Sequence, residues 1–191
     1  MKKVFLMIVC AASVLVGRAQ VKLGVKSGFN FANMVGPDIN NNSTKLSFHV
    51  GGFANIPLID NFTIQPELVF SRQGARLKAP NNYVSRVRLN YLNIPILTQY
   101  NDPSGFYAET GPQFGFLINA KEKYNGNVNG VNGSYKSFDL SWGFGAGYRF
   151  TDQASVGLRW NLGVTDVSEY PGTVRNSVLQ LGVAYSLATS K

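Results

Sequence analysis

Thiols, imidazoles and long apolar runs are nearly absent from this 191-residue chain, which holds one cysteine and one histidine. A lone cysteine, Cys10, excludes an intramolecular disulfide framework and a thiolate cage for zinc. A lone histidine, His49, excludes paired imidazole ligands, and no spacing of His, Cys, Asp and Glu matches a transition-metal site. No cofactor is expected. The longest apolar run, Val4 to Val16, falls short of the about 20 residues that a spanning helix needs. If the chain enters a membrane, it does so with strands. Acids are scarce too: ten Asp plus Glu against 18 Lys plus Arg give a formal charge of +8.

The first 19 residues read as a processing segment. Lys2 and Lys3 precede the apolar run, and Gly17-Arg18-Ala19 offers small residues where a signal peptidase inspects, so cleavage is expected after Ala19. Residues 1–19 are then a signal peptide, and residues 20–191 form one domain. The segment carries Lys2, Lys3 and Arg18 and no acid, so its removal lowers the charge from +8 to +5. Cys10 leaves with it, and without lipobox spacing it predicts no lipid anchor. An exported chain of such modest charge is a poor partner for nucleic acid.

What the chain does have is glycine, aromatics and a period of two. Twenty glycines accompany thirteen phenylalanines and nine tyrosines. Leu179, Leu181, Val183, Tyr185 and Leu187 alternate with Gln180, Gly182, Ala184 and Ser186, which gives a strand one greasy face and one thin polar face. The pattern recurs over eight segments, about 21–33, 46–57, 62–75, 87–100, 105–120, 135–150, 154–166 and 175–187. Tight turns at Ile59–Asn61, Asn101–Ser104 and Thr151–Gln153 alternate with longer connections at 34–45, 76–86, 121–134 and 166–174.

Short turns at one end and long loops at the other, with apolar groups outside and small or polar ones inside, predict a fold class. It is all-β, an eight-stranded antiparallel up-and-down transmembrane β-barrel with a polar interior and a lipid-facing exterior. Both termini fall on the periplasmic side. Phe62, Tyr100, Phe106, Tyr148, Phe150 and Tyr185 should ring the short-turn end, and Phe31, Phe48, Phe70, Phe116, Phe138 and Trp142 the long-loop end. Pro66, Pro95 and Pro112 fall inside strands, where a closed ladder has no free edge for them, so bulges or missing hydrogen bonds are expected there.

Several phrases resemble the outer-membrane protein β-barrel family of Bacteroidetes-type bacteria, often labelled porin family protein. They are Gly24-Val25-Lys26-Ser27-Gly28-Phe29-Asn30-Phe31, Gln65-Pro66-Glu67-Leu68, Leu89-Asn90-Tyr91-Leu92-Asn93-Ile94-Pro95, Tyr107-Ala108-Glu109-Thr110-Gly111-Pro112-Gln113 and Val156-Gly157-Leu158-Arg159-Trp160-Asn161-Leu162-Gly163. The resemblance implies a small outer-membrane barrel and carries over no catalytic residues. It also implies the barrel-assembly machinery as a partner during insertion. Such barrels usually end on an aromatic residue, whereas here Leu187 is followed by Ala188-Thr189-Ser190-Lys191, so Tyr185 is the nearest aromatic.

Two charged groupings stand out. Lys26, Glu67, Glu109, Arg149 and Arg159 share the inward frame, and strand spacing around a closed barrel suggests the cross-lumen pairs Glu67–Arg159 and Glu109–Lys26, with Arg149 and Tyr107 close by. These would form an ion-selective constriction or, as the filled interiors of small barrels favour, a polar plug. Arg72, Arg76, Lys78, Arg86 and Arg88 gather at the long-loop end, where they would meet lipopolysaccharide phosphates or simply be solvated. His49 lies beside Ser47 with no acid placed to orient it, so catalysis is not expected. The expected protein is a monomeric, non-enzymatic barrel among outer-membrane lipid and lipopolysaccharide, with a structural or surface-interaction role. A narrow porin and a soluble periplasmic ligand-binding barrel are the alternatives.

Overall fold

The computed structural model describes residues 21–37, 42–78, 84–124 and 127–187. The expected signal segment 1–19 and the tail after Leu187 lie outside them. Eight long strands dominate: β1 (Lys22–Val35), β3 (Lys45–Ile59), β4 (Phe62–Gln73), β6 (Val84–Asn101), β7 (Phe106–Tyr124), β9 (Phe138–Arg149), β10 (Ala154–Gly163) and β11 (Arg175–Ser186). Three short ones, β2 (Asn42–Ser43), β5 (Arg76–Lys78) and β8 (Asn127–Gly130), extend the wall at the long-loop end. Each long strand pairs antiparallel with its neighbours in sequence. β6 pairs with β7, and β1 pairs with β11, which closes the barrel.

Local chemistry sets the turns at the short end. Asp60 adopts a positive φ of 46° between β3 and β4. Asp102 accepts the Ser104 N–H at 2.9 Å, and Gly105, with φ at 97°, turns the chain into β7. Thr151 Oγ1 accepts the N–H groups of Gln153 and Ala154 before β10.

Two expected connections are partly strand. Residues Lys121–Tyr124 continue β7 and return as β8, and Arg76–Lys78 pair with Val84–Arg86. The prolines interrupt the ladder without shifting it. β4 and β6 pair at Pro66↔Ile96 and resume at Val69↔Asn93, while β6 and β7 pair at Pro95↔Gln113 and resume at Thr98↔Thr110, in unchanged register. The bulges fall elsewhere. One lies near Pro57, and one at Asn90/Tyr91, opposite which β7 holds the extra residue Ile118.

The apolar groups point outward. Leu158, Trp160, Phe144, Leu181 and Val183 stand exposed on the wall, while Arg159, Asn161 and Gln180 between them are buried. Both predicted aromatic belts face outward, with Phe62 against Tyr100 and Tyr148 against Phe150 at one end, and Phe48 against Phe70 and Phe116 against Phe138 at the other. The indole N–H of Trp160 donates to Ser177 Oγ at 3.0 Å, and that of Trp142 to Thr110 Oγ1 at 2.9 Å. In hydrocarbon a free donor is costly, so each ring brings its partner from the next strand. A soluble barrel with its bulk inside is the inverse of this arrangement.

Candidate functional site

The lumen is layered from the short-turn end upward. At the mouth lies a polar cup of about 350 Å³ lined by Lys22, Asn55, Gln65, Gln99, Tyr107 and Arg149, among others. Tyr107 fits because Gly147 and Gly157 leave no side chain where its ring lies, and the Arg149 guanidinium sits 5.2 Å from the centre of that ring. Arg149 also donates to Gln99 Oε1 at 3.2 Å.

The floor of the cup is a charge layer. Arg159 donates to Glu67 through both terminal nitrogens, at 2.8 and 2.9 Å, and through Nε to Glu109 at 2.6 Å. Lys26 Nζ lies 3.0 Å from both Glu67 oxygens. Gln65 and Gln99 each donate to one of the carboxylates at 2.8 Å. Two cations thus meet two carboxylates, and Glu67 is fully covered. Buried charge is tolerated only when paired and hydrogen-bonded in this way.

The pairing differs from the sequence reading at one point. Glu67 and Arg159 do meet across the lumen, but Lys26 reaches Glu67 and not Glu109. Register explains this. Glu109, Gly145 and Arg159 form one cross-strand row, and Gly145 between them has no side chain, so Glu109 lies over it and meets Arg159. Gly51 stands between Lys26 on β1 and Val69 on β4, and Val69 lies over it, one inward position from Glu67.

Above the charges, His49 Nδ1 lies 2.8 Å from Asn30 Oδ1, and the Asn30 amide donates to Ser71 Oγ and to two backbone carbonyls. Ser47 turns its hydroxyl to the Arg72 carbonyl, not to His49. Higher still an apolar cluster joins buried polar groups such as Lys45, Gln73, Asp139 and Asn176. Met34, Ala75, Val87, Leu89, Tyr91 and Ala120 pack together under Leu117, Val131, Tyr135 and Val174. The expected polar interior is therefore supplemented near the long-loop end by an apolar cap. Sequence reasoning missed the cap because Val131, Tyr135 and Val174 lie in or beside segments that read as loop.

The cap is held from outside by the 131–137 and 164–174 segments. Lys136 N donates to Val167 O, and Lys136 Nζ pairs with Asp166 at 3.0 Å. Hydrogen bonds from the Val174 and Ser168 N–H groups, together with Lys136, hold the Asp166 carboxyl below the usual carboxylate range. Burial in the cap pushes the Tyr135 hydroxyl up to about 12.

The basic residues of the long-loop end share an outward face. Arg72 stacks over the Phe48 ring at 4.9 Å and donates through Nε to Asn90. Arg76 and Arg86 are cross-strand partners, and Arg86 also pairs with Lys123, while Arg88 pairs with Lys121. Lys78 pairs through its backbone with Val84. Lys121 and Lys123 were not singled out from sequence, because the extra residue at Ile118 reverses the frame of β7 beyond it.

A closed eight-stranded barrel of this kind, apolar outside and charged within, is a small outer-membrane β-barrel protein. The chain belongs to the outer membrane protein beta-barrel domain family, whose model matches residues 17–169. It resembles Ail, the attachment invasion locus protein of Yersinia pestis, with a TM-score of 0.54, 11% identity, and coverage of 87% of this chain and 98% of that one. It also resembles neisserial surface protein A, with a TM-score of 0.52, 15% identity, and coverage of 86% and 97%. At these identities the likeness is one of fold. No curated protein matches the chain in sequence.

Proposed function

We propose that this barrel is a non-conducting, non-enzymatic protein of the outer membrane that acts through its extracellular face. One observation carries the reading: the lumen is closed twice, by the Lys26–Glu67–Arg159–Glu109 layer and by the apolar cap around Leu89 and Tyr91. A pore needs a continuous water-filled path, and at both levels the side chains are buried against one another. The cup at the short-turn end is therefore blind. His49, held by an amide and, among the described residues, without a carboxylate partner, supports a structural role and not a hydrolytic one.

Planar-bilayer recording and liposome swelling test this. Wild type and Arg159→Ala are expected to be equally silent, because the cap remains when the charge layer is broken. Stepwise conductance from the wild-type barrel would overturn the reading in favour of a narrow channel.

A further inference from the structure

Above the aromatic collar the wall rises on one side as a sheet of β5, β6, β7 and β8, and its outward face is cationic. Arg76, Arg86 and Lys123 lie in one cross-strand row, Arg88 and Lys121 in the next, and Arg72 joins Asn90 and Asn119 in the row nearest the collar. Like charges directly opposite one another destabilise a sheet. Here two consecutive rows contain nothing else that could compensate them, and among the described residues none of these cations has a carboxylate in ion-pair distance. The nearby acid, Glu122, faces the other way and bonds Ser85. A face that keeps such repulsion in isolation is suited to a multivalent anion.

Height decides which anion. Leu92 sits in the collar, paired with Phe70 and Phe116, and Arg88 and Arg86 follow four and six residues farther along β6. At about 3.3 Å per residue and a tilt of roughly 40°, they stand roughly 10–15 Å above the collar. That is headgroup level, not the reach of loop tips. Arg72, stacked on collar Phe48, joins the patch to the lipid-facing wall without a break. Guanidinium forks bind phosphate bidentately, and Arg on β6 beside Lys on β7 in two successive rows suits phosphates spaced along a sugar headgroup.

We propose that this face binds the phosphates of outer-leaflet lipopolysaccharide, with Arg86, Arg88 and Lys121 at its centre and Arg72, Arg76 and Lys123 around them. The proposal does not depend on whether the lumen conducts. It is tested by titrating the detergent-solubilised, folded barrel with diphosphoryl lipid A and with the same lipid stripped of phosphate, read by native mass spectrometry. Arg86→Gln/Arg88→Gln/Lys121→Gln should weaken diphosphoryl lipid binding about 100-fold, at about fivefold per cation. Loss of both phosphates should weaken wild-type binding comparably. Arg175→Gln, which removes an exposed cation at the same end on β11, should leave binding unchanged. Heat-modifiable migration checks folding, and Arg88→Gln with Lys121→Gln serves if the triple variant does not fold. Equal binding by the triple variant, equal binding of the phosphate-free lipid, or an equal loss with Arg175→Gln would overturn the proposal. So would full displacement of the lipid by an equimolar soluble sulfated oligosaccharide, which would assign the face to a soluble polyanion.

Discussion

Arg159 and Glu67 face each other across the lumen through two parallel N–H···O bonds of 2.8 and 2.9 Å, although 92 positions separate them in the chain. The bond ties β10 to β4 on opposite sides of the cylinder, so it braces the barrel as a strut does, and Lys26 and Glu109 neutralise its two ends. A strut between opposite walls resists the flattening that pairwise hydrogen bonding between neighbours leaves free.

Removing one end should therefore cost more than a surface pair would. Glu67→Gln leaves Arg159 with a single carboxylate and Lys26 with none, and unpaired buried charge costs about 3–5 kcal/mol. The expected outcome is a lower temperature for the loss of the compact, heat-modifiable band in detergent gels. Replacing both Glu67 and Arg159 by Met should recover part of the loss, because the layer is neutral again, with Lys26 and Glu109 as its remaining cation and carboxylate.

Gly145 is the vacancy over which Arg159 meets Glu109. A Cβ added there would lie 2.6 Å from Glu109 Oε1 and 3.0 Å from the Leu158 carbonyl. Gly145→Ala is expected to destabilise by about 1–3 kcal/mol, as overpacking does, whereas Gly133→Ala, with nothing within 4 Å, should be neutral. Guanidinium denaturation of both variants in the same detergent checks the contrast.

The sequence allowed the alternation, the eight spans and the inward set of charges to be read, because a period of two survives any uncertainty in where a strand ends. It did not reveal which cation meets which carboxylate. That depends on Glu109 lying over Gly145 towards Arg159, which is a matter of register between neighbours and not of position around the barrel. Nor did it reveal the apolar cap, since Tyr91 reads as a member of an ordinary strand and Met34 as the start of a loop until the 131–137 and 164–174 segments fold over them. Lys121 and Lys123 stayed hidden for a third reason: one extra residue in β7 moves the outward frame from even to odd numbers.

Asp166 locks the two segments above the cap, accepting Val174 N at 2.9 Å, Ser168 N at 3.1 Å and Lys136 Nζ at 3.0 Å. Its depressed folded-state pKa means that the contribution is fully present above the usual carboxylate range and is lost as pH falls through the lower folded value. Amide exchange at Val174 and Ser168 should accelerate below that point, and Asp166→Asn should show the faster exchange already at neutral pH. Exchange that is equally slow in the variant would mean that backbone pairing alone, such as Val167 N to Val174 O, holds the segments.

Trp142 and Trp160 report directly on which face meets lipid. Trp160 pairs with Phe144 and Leu179 in the middle of the wall, and Trp142 stands one step nearer the long-loop collar, paired with Pro112 and Leu162. Acyl chains brominated near the bilayer centre should quench Trp160 more than Trp142, and chains brominated near the headgroup should reverse the order. Aqueous iodide should quench neither. Ser177→Ala strips the Trp160 indole of its acceptor in surroundings that offer no water, which should cost about 1–3 kcal/mol. Lipid quenching that fails for both residues while iodide succeeds would place the apolar wall in water and remove the membrane from the account of this fold.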